Sequence, residues 1–76
     1  MIFLIEYDRE KGRIVTMLDF NDSDRQDAEK QRIELEVRLN EKQIDHEVVL
    51  LHAATLDALK LTHNRYFADL AELQRN

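Results

Sequence analysis

The chain contains one glycine, Gly12, and no proline, so a turn that needs a left-handed residue has only one natural place to form. Gly12 ends the polar segment Asp8-Arg9-Glu10-Lys11-Gly12, which separates two runs rich in β-branched and aromatic residues. That pattern predicts a β-hairpin over residues 2–20, with strands at about 2–8 and 13–20. In the first strand Phe3, Ile5 and Tyr7 alternate with Ile2, Leu4 and Glu6. In the second, Ile14, Thr16, Leu18 and Phe20 alternate with Arg13, Val15, Met17 and Asp19. The sets that begin with Phe3 and Ile14 read as the core face.

The same shortage of glycine excludes several chemistries. A nucleophile elbow, a phosphate-cradling loop and a dinucleotide fingerprint each need at least two glycines at fixed spacing. Ser23 is the only serine, and its position favours a helix cap over a nucleophile. The absence of cysteine removes disulfides, thiolate zinc sites and redox pairs, and suits a reducing, cytoplasmic setting.

Beyond Asn21 the pattern changes. Ser23 followed by Gln26 fits a capping box, and Asp24 and Asp27 suit the positive end of a helix dipole. A helix is expected over about residues 24–42, with Glu34 and Arg38 as a supporting i,i+4 pair. The stretch Ile33–Leu39 alternates with period two, as a strand would, but the cap and the polar run before it favour helix. On that helix Ala28, Leu35 and Leu39 form one apolar stripe, while Ile33, Val37 and Ile44 lie nearly opposite. A continuous apolar run, Val48–Leu51, flanked by His46 and His52, predicts a buried strand at about 46–53. Thr55 then caps a second helix at about 56–74, whose stripe is Leu56, Leu59, His63, Tyr66, Phe67, Leu70 and Leu73. The expected whole is a single α+β domain over residues 1–76, ordered β-β-α-β-α. Its three-stranded antiparallel sheet, in order 2-1-3, packs against two helices.

Size then bears on partners. A chain of 76 residues has a small core and gains from an added staple, here a second subunit. If both helices cover Phe3, Ile5, Ile14, Leu18, Val49 and Leu51, the opposite sheet face exposes Leu4, Val15, Met17, Val48 and Leu50. Together with Ile33 and Val37 these residues form a candidate interface for a homodimer or another protein. The competing arrangement puts one helix on each face and uses up the second surface within one chain.

Candidate chemistry is sparse. His63, Arg65, Tyr66 and Thr62, joined by His52 and with a carboxylate such as Glu6 nearby, could line a small-anion or enzymatic site. The plainer reading makes His63 a core histidine hydrogen-bonded to Tyr7, Tyr66 or a carbonyl. His46 and His52 lie roughly 20 Å apart along their strand and cannot share a metal, and no metal or cofactor is implied. A net charge of −5 and mixed signs at the hairpin tip disfavour nucleic acid. The apolar run Met1–Ile5 stops at Glu6, too short for a signal peptide or a membrane span. The expected function is a non-enzymatic interaction module acting as a homodimer, with a ligand-binding or enzymatic site at His63, Arg65 and Tyr66 as the alternative.

Overall fold

The structure, a computed structural model, describes residues 1–67. Its elements are β1 (Ile2–Asp8), β2 (Arg13–Phe20), α1 (Arg25–Glu41), β3 (Glu47–His52) and α2 (Leu56–Thr62). Single 3-10 turns at Asp22–Asp24 and Asn64–Phe67 follow β2 and α2. The sheet order is β2-β1-β3 with both pairings antiparallel, as the sequence predicts. Gly12 takes φ +67°, and its N–H donates to the Asp8 carbonyl at 2.7 Å to close the hairpin. The Asp8 carboxylate accepts the N–H groups of Glu10 and Lys11, each at 3.0 Å, and fixes the turn from within.

The register departs from simple alternation at one point. Glu6 pairs with Thr16 and Tyr7 with Ile14, so Val15 is an extra residue in β2 with no partner on β1. The bulge inverts the faces of everything after it. Met17 pairs with Ile5 and Leu18 with Leu4, the reverse of the faces expected for Met17 and Leu18.

The helices also divide differently from the arrangement that motivated the sheet-face interface. Phe3 and Ile5 cluster with Leu59, Tyr66 and Phe67, so α2 and the turn after it cover one face. Ile2, Leu4 and Glu6 point the other way, toward α1, which lies over β3 and β1 and buries Ala28 and Leu39. One helical layer therefore lies on each face. That double cover explains why β1 is buried from Ile2 to Glu6, whereas an antiparallel strand covered on one side would alternate. Ile5 and Leu59 are fully buried, each worth about 1.5–3 kcal/mol of transfer free energy.

Local signals explain the helix ends. The Ser23 capping box does not form: Ser23 lies inside the first 3-10 turn, and Asp24, at the N-cap of α1, makes no side-chain capping bond. At its other end α1 stops on Gln43, whose φ of +58° lets the Ile44 N–H reach Leu39 and the Gln43 N–H reach Asn40. Thr55 caps α2 as expected, accepting the Ala58 N–H at 3.1 Å. The second helix is shorter than predicted. It breaks at His63, with φ −125° and ψ 47°, and the 3-10 turn that follows drives Tyr66 and Phe67 into the core. The remainder of the predicted helix, with Leu70 and Leu73, lies outside the described residues. No helix among the described residues is long and apolar enough to cross a membrane.

Candidate functional site

Of the five expected ligand-site residues, the fold brings the side chains of two, Arg65 and Tyr66, onto a common partner. His63, Arg65 and Tyr66 sit at the end of α2 and in the turn beyond it. Thr62 precedes them, but its hydroxyl donates back into its own helix, to the carbonyls of Ala58 and Leu59. His52 is elsewhere. It ends β3 opposite Ile2, while Tyr66 and Arg65 contact Glu47 at the strand's start, about 17 Å away at the strand rise.

The polar centre of that cluster is Glu47, which sequence reasoning did not single out. Arg65 donates to Glu47 Oε1 at 2.6 Å, and the Tyr66 hydroxyl donates to Glu47 Oε2. The Arg65 guanidinium also stacks over the Tyr66 ring, 4.6 Å from its centroid. Tyr7 meets Tyr66 edge-on at 5.1 Å between centroids. Burial raises the Tyr66 pKa above the usual tyrosine value, aided by its hydrogen bond to the Glu47 carboxylate and by that group's charge. The hydroxyl is thus held as a neutral donor. Glu47 occupies the carboxylate position that was expected of Glu6.

Glu6 does something different on the opposite face. Its side chain is 7% exposed, accepts from the Thr16 hydroxyl at 2.8 Å, and meets His46 Nδ1 at 2.6 Å. The other ring nitrogen of His46 lies 3.6 Å from Asp8. Asp8 is held below the usual aspartate range, first by the Lys11 N–H that it accepts, then by His46 and the Glu10 N–H, against opposing desolvation. His46 therefore stands between two carboxylates and offers each a different nitrogen. Side chains arranged in series do not converge on one point, and among the described residues no trio of such groups is placed as metal ligands would be. The geometry ties the loop before β3 to the hairpin. A sequence reader could have paired Glu6 with Thr16 across the hairpin, but the loop that delivers His46 is a tertiary matter.

The expected interface residues split into two groups. Leu4 is 1% exposed beneath α1, and Val48 and Leu50 share its face and are partly buried, so that part of the sheet-face interface is already covered within the chain. Val15, Met17, Ile33 and Val37 are exposed. Ile33 and Val37, 52% and 51% exposed, form the outer stripe of α1 that its periodicity implied. The cavities near the site are shallow clefts. One of about 290 Å3 lies between Met17, Leu56 and Tyr66, and two others run along β3 under α1. No protein-family profile, characterised protein or solved structure matches this chain.

Proposed function

We propose that the chain is a non-enzymatic interaction module that works as a homodimer, and that its contact surface is the outer edge of β3 with the neighbouring side of α1. The observation that carries this reading is the contrast between the two sheet edges. β2 has the features that blunt an edge: the bulge at Val15, and Arg13 and Asp19 near its ends. β3 lacks the bulge, and its one charged residue, Glu47, is tied to Arg65 and Tyr66. From Glu47 to His52 it is unbulged, contains no proline or lysine, and places four consecutive apolar residues beside an edge that no described strand pairs. An unbulged, largely apolar edge of this kind is a template for another strand.

The alternative of a ligand or enzymatic site at His63, Arg65 and Tyr66 has less support, because the Arg65 fork and the Tyr66 hydroxyl are both directed at Glu47. Equilibrium sedimentation tests the proposal. A mass of two chains at micromolar concentration is expected; a single-chain mass across that range removes it. An extended segment of another protein added to the same edge is the remaining form of an interaction module, and it differs from the dimer in requiring a single-chain mass for the isolated protein.

A further inference from the structure

We infer that a row of alternating charges on α1 selects the partner, and that the partner it selects is a second copy of this chain in antiparallel register along β3. The inference rests on the dimeric reading above and specifies its geometry. The row is Arg25, Glu29, Arg32 and Glu36, spaced i, i+4, i+7 and i+11, which is one stripe of a helix. It overhangs the open edge. Arg25, Glu29 and Arg32 line a cleft of about 440 Å3 with Val48–His52, and Glu36 continues it beside His46 and Val48. The four side chains keep 69%, 49%, 33% and 45% exposure although Arg25 pairs with Glu29 and Arg32 with Glu36 within the helix.

Reversing the row against itself gives a self-complementary pattern. Arg25 then faces Glu36 of the second copy, Glu29 faces Arg32, and the two reciprocal contacts repeat, so every juxtaposition is of opposite sign. A parallel pairing would set like against like, which is costly at an interface.

The symmetry centres of helix and strand also coincide. The row's midpoint lies between Lys30 and Gln31, about 8 Å along the helix from Arg25 at 1.5 Å per residue. Arg25 lines the same cleft as His52. Moving about 8 Å along β3 from His52, at roughly 3.3 Å per residue, reaches the boundary of Val49 and Leu50. That boundary is the middle of Glu47–His52. A two-fold axis through the sheet must pair side chains on the same face, so it passes through Val49 or Leu50. With strands about 4.8 Å apart and α1 seated over β1 and β3, the two copies of α1 would stand roughly 10 Å apart, an ordinary helix-packing distance. Ile33 borders the row near its centre and gains cover there.

The test uses two double variants of the whole chain, Arg25→Glu with Arg32→Glu, and Glu29→Arg with Glu36→Arg. Each makes the row one sign. Sedimentation and native mass spectrometry should show self-association of each variant weakened by about tenfold or more, with an equimolar mixture recovering a mixed dimer near wild-type affinity. Recovery in the mixture also shows that both variants fold. Should either lose its circular-dichroism signature, the single reversals Arg25→Glu and Glu36→Arg carry the same mixing test. A wild-type dimer whose variants associate as well as it does, or fail to recover on mixing, overturns the charge-row inference and leaves the dimer standing. A monomeric wild type overturns both.

Discussion

Glu6 is the residue on which the sheet's polar economy turns, because a buried carboxylate survives beside Leu4 only if its oxygens are occupied. Thr16 and His46 occupy them. His46→Ala leaves Glu6 with Thr16 alone and is expected to cost about 1–3 kcal/mol, read by urea denaturation. The same loss should shrink when Glu6 is already glutamine, since the two residues share one interaction. Equal losses in both backgrounds would show that the pair is not coupled. Asp8, next along the strand, makes a prediction about acid. Its folded pKa lies below the ordinary 3.8, so the stabilisation it supplies is complete above that value and disappears as pH falls through the folded one. Chemical denaturation at successive pH values should find wild type losing its advantage over Asp8→Asn below about pH 4. A constant difference between the two down to pH 2.5 would contradict it.

Among the elements, two residues with nearly the same backbone angle have opposite chemistry. Gly12 closes the hairpin at φ +67° and Gln43 closes α1 at φ +58°. Glycine has no Cβ to clash in that region, whereas glutamine does. Added bulk at Gly12 would meet only the Tyr7 hydroxyl at 3.8 Å, so the cost of Gly12→Ala is conformational, about 1 kcal/mol. Gln43→Gly should act in the other direction and raise stability by a few tenths to about 1 kcal/mol. Thermal melts of both variants check the signs. A stabilising Gly12→Ala or a destabilising Gln43→Gly would mean that backbone strain is not what these ends share. The bond from Ile44 back to Leu39 is retained in either case, because it is made by backbone atoms.

For the molecule as a whole, the two helical layers change what a dimer would be for. With α1 and α2 on opposite faces, the apolar residues of β1 are sheltered inside one chain, whereas Val15, Met17 and Leu18 of β2 stay exposed. Among the described residues the edge of β3 is open as well. A dimer formed there extends the sheet and ties two small cores into one hydrogen-bonded layer. Because association stabilises by mass action, the melting temperature of such a dimer rises with protein concentration, and a concentration-independent melt would count against the proposed assembly.

The hairpin turn at Gly12 and the cap at Thr55 were legible in the sequence because each depends on neighbours within a few residues, and the strand order because connection rules leave few ways to place β3. The outer stripe of Ile33 and Val37 was legible for the same reason, since helical periodicity alone puts it opposite Ala28 and Leu39. Four features were not: the bulge at Val15, the helix break at His63, the Glu6–His46 contact and the assignment of one helix to each face. Each is settled by pairing or packing between separate elements, not within one. Val15 could alternate perfectly well on its own, and only pairing with β1 makes it surplus; His63 could continue a helix, and only the core's demand for Tyr66 and Phe67 bends the chain there. Local chemistry chose the elements, while the competition of distant side chains for the same buried space chose their faces, and with them which surface was left for a partner.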